Sequence, residues 1–121
     1  MAHSKEEVED LLANETMLTL PEVADMLGIP VTRVNDLLAA RKFIAWKRDG
    51  KRLVPAAFFS GPNVDKHVTG TITLLTDGGY SDTDIFAHLF TPDDSLPGRP
   101  TDGLKGDLAR EVKRRAQALA F

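Results

Sequence analysis

The stretch from Thr19 to Pro55, TLPEVADMLGIPVTRVNDLLAARKFIAWKRDGKRLVP, fixes more of the fold than any other part of the chain. Thr19 and Glu22 have the spacing of a capping box, in which the Thr19 side chain receives the Glu22 amide and the Glu22 side chain reaches back to the Thr19 amide. Leu18 and Val23 are spaced as a hydrophobic staple across that cap. Pro21 falls in the first helical turn, where a missing N–H costs nothing. Val23, Ala24, Met26 and Leu27 continue as an apolar stripe at helical spacing. Gly28 suits the left-handed position that ends a helix, and Pro30 forbids a straight continuation. A second helix is expected from about Val31 to Ala40, burying Val34, Leu37 and Leu38. Its other face carries Thr32, Arg33, Asn35 and Asp36.

The next residues, FIAWKRDGKRLVP, read as two short strands, Ile44 to Lys47 and Arg52 to Val54, joined through Arg48-Asp49-Gly50-Lys51. Asp-Gly between β-prone runs is a strong hairpin signal. Helix, tight turn, helix and hairpin in this order make a winged helix-turn-helix. The expected fold class is mainly α, a winged helix-turn-helix with a short β-hairpin wing plus a C-terminal helical subdomain. Double-stranded DNA is then the leading partner. The N-terminal residues of the second helix reach base edges in such domains, which makes Thr32, Arg33 and Asn35 the base-reading candidates. Arg33 suits a bidentate contact to guanine and Asn35 one to adenine, while Asp36 either accepts from a cytosine amino group or repels phosphate. Phosphate contacts fall to Arg41, Lys42, Lys47, Arg48, Lys51 and Arg52. The competing view of the hairpin is a solvated edge kept from aggregating by its cations.

A net charge of −3 looks wrong for such a partner until it is divided along the chain. Residues 1–27 hold one Lys against seven acids, residues 28–59 seven Lys or Arg against two, residues 60–104 two against seven, and residues 105–121 five against two. The main basic island coincides with the second helix and the hairpin, the electrostatic footprint expected of a duplex reader. With no cysteine, there is neither a disulfide scaffold nor thiolate chemistry. The acidic start MAHSKEEVEDLL lacks signal-peptide order, and no apolar run approaches the roughly 20 residues that span a bilayer. A cytoplasmic protein without membrane partners is expected.

The chain divides into an acidic leader (1–15), the winged helix-turn-helix (16–60) and a C-terminal helical part (61–121). The leader is either a helix through Val8, Leu11 and Leu12 or a frayed end. Phe58 and Phe59 plug the core, and SGPN forms a turn. A helix from about Val64 to Thr76 places Val68, Ile72 and Leu75 on one face and stops at Gly78-Gly79. Ser81 caps the next helix, with Asp84 at its third position and Ile85, Phe86, Leu89 and Phe90 on it. The loop TPDDSLPGRP holds three of the seven prolines. A short helical turn from Pro100 to Asp102 follows, and then a final helix, about Asp107 to Ala120. That helix is expected to bury Leu108, Val112 and Leu119 and to expose Arg110, Lys113 and Arg114.

Catalytic chemistry finds no foothold. His3, His67 and His88 lack paired metal-ligand spacing, no nucleophile stands beside a base, and Gly78-Gly79 has neither the spacing nor the Lys-Ser/Thr ending of a phosphate loop. Asp82, Asp84, Asp93 and Asp94 read as caps and loop solvation. No enzyme activity, metal or cofactor is expected.

Residues 17–59 resemble the excisionase and MerR-like class of winged helix-turn-helix domains, through LTLPEVADMLGIPVTRVNDLL, the wing and the trailing VPAAFF. The run LLTDGGYSDTDIFAHLFTPDDSLPGRPTDGL with AREVKRRAQALAF is similar to an actinobacterial family of small winged helix-turn-helix DNA-binding regulators, over nearly everything after residue 17. The resemblance implies transcriptional regulation through the second helix and wing. It also implies a serine/threonine protein kinase as a partner, because the mycobacterial member is such a kinase's substrate on a threonine of an N-terminal extension. The leader here has no matching threonine, so kinase control carries over to no particular residue; Ser4 and Thr16 are the candidate phosphorylation acceptors, as isolated hydroxyls in acidic sequence. The segment LFTPDDSLPGRPTDGLKGD with VKRRAQALA further resembles the C-terminal region of the Xre/MbcA/ParS antitoxins, which implies self-association as a homodimer or toxin contact. The alternative is that its prolines and glycine only shape a loop. A protein-interaction module, antitoxin-like or scaffolding, is therefore the competing function.

Overall fold

Ser4 opens the first helix, α1 (Lys5–Leu12), by accepting the Glu7 amide at 3.1 Å on its hydroxyl. The computed structural model describes residues 3–96 and 98–120; the first two leader residues, Pro97 of the TPDDSLPGRP loop and Phe121 lie outside that range. Val8 and Leu12, one turn apart, are fully buried, so the leader is a packed helix and not a frayed end. A short strand, β1 (Met17–Thr19), leads into α2 (Leu20–Leu27) and α3 (Val31–Ala39). The capping box forms as expected: the Thr19 amide donates to Glu22 Oε1 at 2.8 Å and the Glu22 amide to Thr19 Oγ1 at 3.3 Å. The Thr19 backbone amide first, and the Thr19 side chain second, hold the Glu22 carboxyl below its ordinary pKa.

Gly28 ends α2 in the left-handed region at φ 69°. Ile29 N–H returns to the Ala24 carbonyl at 3.0 Å and Gly28 N–H to Asp25 at 3.3 Å, closing a Schellman motif. The same motif ends α3, with Lys42 N–H on the Leu37 carbonyl and Arg41 N–H on Leu38, both at 3.0 Å. Here the left-handed residue is Arg41, at φ 56°, in the place glycine usually takes. Of the three residues expected to be buried by α3, Val34 is fully buried, whereas Leu37 and Leu38 are half-buried against the core.

The hairpin is tighter than the sequence suggests. Its strands are β2 (Trp46–Arg48) and β3 (Lys51–Pro55), and the turn is Asp49-Gly50 alone, with both residues at positive φ (51° and 79°) as a two-residue type I′ turn requires. Arg48 and Lys51, expected in the turn, face each other as the last strand pair. The order β1-β3-β2 makes β1 an unforeseen third strand, with Leu18 opposite Val54. A 3₁₀ turn (Ala56–Phe58) and a small hairpin of β4 (Phe59–Ser60) and β5 (Asn63–Val64) lead to α4 (Lys66–Asp77). Ser81 caps α5 (Asp82–Phe90), and α6 (Pro100–Gly103) precedes α7 (Ala109–Ala120), which starts two residues later than expected.

One core serves both halves. Phe86 of α5 stacks on Phe58 at 5.9 Å between ring centroids and meets Trp46 of β2 edge-on at 5.4 Å. Phe90 joins them at 5.7 Å from Phe58, and α1 packs along α5. The buried stripe of α7 is Ala109, Val112 and Ala116; Leu119, expected inside, is half exposed.

Candidate nucleic-acid interface

The N-terminus of α3 rises from the Gly28–Pro30 turn with no side chain capping it. Burial of Val34 fixes the helix rotation, so Thr32, Arg33 and Asp36 face solvent. Among the described residues, Thr32 and Arg33 make no side-chain hydrogen bond or ion pair. Asn35 is engaged. Its Nδ2 donates to the Val31 carbonyl at 3.3 Å, and its Oδ1 accepts from Arg52 Nη2 at 2.8 Å. That second bond links β3 of the hairpin to α3. Thr19, Pro21, Val31, Asn35, Lys51 and Arg52 line an open cleft of about 470 Å³ between the helix and the hairpin.

Two of the six expected phosphate ligands are otherwise occupied. Arg41 donates to Asp82 Oδ1 at 2.6 Å and to Thr76 Oγ1 at 3.1 Å, clamping the end of α3 onto α4 and α5. Its Nη2 is therefore engaged within the fold. Arg48 Nε lies 3.2 and 3.3 Å from the two oxygens of Glu9 on α1. Lys42, Lys47 and Lys51 are exposed and make no ion pair among the described residues. Lys47, Lys51 and Arg52 share the hairpin, with Lys47 opposite Arg52 in register.

The sequence reading missed Glu9 and Val31. Glu9 sits on an acidic helix that the fold brings against a basic strand, so charge complementarity was the available signal. Val31 is 39 % exposed at the first position of α3, an apolar side chain left open beside cations. Ser4 is spent on capping α1, and exposed Thr16 uses its carbonyl to accept the Ala56 amide at 2.8 Å. His88 is half-buried on α5. Among the described residues no three His, Asp or Glu gather as a metal site, and no helix is long and apolar enough to cross a membrane.

Residues 6–59 match the family described as "DNA-binding protein Rv2175c, wHTH domain", and residues 66–120 match "Rv2175c C-terminal domain of unknown function". The chain is 41% identical to "DNA-binding protein Rv2175c" of Mycobacterium tuberculosis (strain ATCC 25618 / H37Rv), over 89% of this chain and 83% of that protein. The chain belongs to the Rv2175c family. The fold agrees. A structure described as "NMR structure of Rv2175c" superposes with a TM-score of 0.83 at 41% identity, covering 89% of this chain and 83% of that one. The winged helix-turn-helix match begins inside α1, the helix whose Glu9 holds Arg48. The Rv2175c C-terminal match begins at the first residue of α4.

Proposed function

We propose that this chain binds duplex DNA as a transcriptional regulator, with α3 in the major groove and the β2–β3 hairpin on the flanking phosphates. The carrying observation is that an uncapped helix N-terminus presents Thr32 and Arg33 unengaged, beside Lys47, Lys51 and Arg52 on a hairpin bonded to the same helix. Uncapped amides and the helix dipole favour a nearby phosphate, while long cations track the backbone. Arg33 is the residue for guanine O6 and N7, and Thr32 assists at a neighbouring edge. Asn35 reads adenine only after Arg52 releases its carbonyl oxygen, so Arg52 and Asn35 engage DNA together. Lys42, Lys47 and Lys51 hold phosphates from the start. Membership of a family described as DNA-binding supports the same reading.

Titrating a labelled duplex at several salt concentrations tests it. Neutralising about five phosphates gives a log affinity that falls with log salt at a slope of roughly −4 to −5. Weak binding that ignores salt overturns it.

A further inference from the structure

The second basic island, on α7, is not part of the hairpin interface, yet the fold carries it toward the end of α3. Thr69 Oγ1 on α4 donates to the Lys42 carbonyl at 2.5 Å, seating the residue just past α3 against the first turn of α4. A Cβ at the adjacent Gly70 would lie 3.1 Å from Lys113 Cε and 3.4 Å from its Nζ, so the Lys113 ammonium rests on α4 beside that junction. Gly78 meets Ala120 in the same way, which makes α4 and α7 run parallel, side by side. Lys66 is then one turn below Gly70 and Arg110 about one turn below Lys113, at the same level.

Lys42, Lys66 and Arg110 are exposed and Lys113 is half exposed; among the described residues none of the four is in an ion pair. Between Lys66 and Asp77, α4 has no acid, and the single acid of α7, Glu111, is held by Arg114 and Arg115. A helix of nine residues is about 14 Å long at 1.5 Å per residue. Lys42 lies just past the C-terminal end of α3, about that distance from the uncapped N-terminus, and Lys113, Lys66 and Arg110 continue the positive surface beyond it.

We propose that Lys66, Arg110 and Lys113, continuing from Lys42, form a second phosphate-binding surface, on which the C-terminal helices grip the same duplex outside the site read by α3. This rests on the DNA-binding reading above. Its contribution is independent of sequence, because phosphate contacts position without specifying.

The test uses the full chain, Lys66→Gln/Lys113→Gln together, and a duplex selected from a random pool by the unaltered protein. The duplex is prepared trimmed to the protected site and extended by about 10 base pairs on each side. On the extended duplex the double variant is expected to lose affinity equally for selected and scrambled sequences, with a log–log salt slope shallower by about 2. On the trimmed duplex the two proteins bind alike. Unchanged affinity and slope on the extended duplex overturn the proposal, which would leave this surface to an acidic protein. An equal loss on both duplexes also overturns it, since the effect then lies within the core site. Lys51→Gln serves as the control and weakens both duplexes. Should the unaltered protein show no salt-dependent binding to either duplex, the DNA-binding reading itself fails, an outcome separate from the others.

Discussion

The Trp46 indole N–H donates to Glu9 Oε1 at 2.5 Å, so a carboxylate on the first helix is fastened to the hairpin strand beside the basic turn. The same carboxylate accepts from Arg48, which competes with any phosphate for that guanidinium. Glu9→Gln separates the two roles, since its amide oxygen still accepts from Trp46 while the charge on Arg48 is released. The ion pair is partly exposed, so its loss costs no more than about 1 kcal/mol. DNA affinity is expected to rise, with a salt slope steeper by about 1 as Arg48 gains a phosphate. Glu9→Ala also leaves the Trp46 N–H unpaired and lowers stability by about 1–3 kcal/mol. Denaturant unfolding and duplex titration at several salt concentrations read both effects.

Arg33 and Lys51 are both unengaged cations but act on different parts of a duplex. Arg33→Ala removes a bidentate base contact worth about 1–3 kcal/mol of discrimination, so its preference for the selected duplex over a scrambled one falls by about 5- to 150-fold. Lys51→Ala weakens both duplexes alike and flattens the salt slope by about 1. Competition titrations with both duplexes distinguish the two patterns. Equal effects of the two substitutions on the preference would show that Arg33 does not read bases.

Legibility followed the range of the interaction. The capping box at Thr19, the left-handed stop at Gly28 and the Asp49-Gly50 turn are local, and their residues carry the signal themselves. Strand β1 is only three residues long and exists because Leu18 finds Val54 across the chain, which leaves no periodic pattern. Arg41 looked like one more cation beside Lys42; its role depends on Asp82 and Thr76, which no local pattern places next to it. Leu119 read as core by spacing. Instead α7 turns its small residues Ala109 and Ala116 inward with Val112, while Gly70 and Gly78 of α4 pack against it at Lys113 and Ala120, leaving Leu119 outside.

That close approach predicts a steric penalty at Gly78. A Cβ there would lie 2.5 Å from Ala120 Cβ and 2.7 Å from Ala120 Cα, a clash with backbone that no rotamer change relieves. Gly78 itself has φ −80°, which alanine adopts freely, so the effect is packing and not backbone strain. Gly78→Ala is expected to lower stability by about 1–3 kcal/mol, as overpacking does. Thermal unfolding measures it, and an unchanged or raised Tm would mean that the end of α7 does not contribute to the fold.

His88 makes the stability of the fold depend on pH. Burial holds its pKa below the ordinary value of about 6.5; Asp93 pulls it up, and His3 lowers it further. Its Nε2 is buried and has no partner among the described residues, so a proton placed there meets no acceptor. Below pH about 6.5 the unfolded chain therefore binds this proton more readily than the folded one. Stability is fully present above that pH and declines as pH falls toward the lower folded-state pKa. The depressed carboxyls act in a more acidic window, Glu111 at about 2 through its hydrogen bonds from Arg114 and Arg115, so the two losses separate on the pH axis. Unfolding free energies between about pH 7.5 and 5 should fall for the native sequence and fall less for His88→Asn. In an NMR titration of the His88 ring, a midpoint below about 6.5 is expected. A midpoint at or above that value would show that protonated His88 is accommodated in the folded protein.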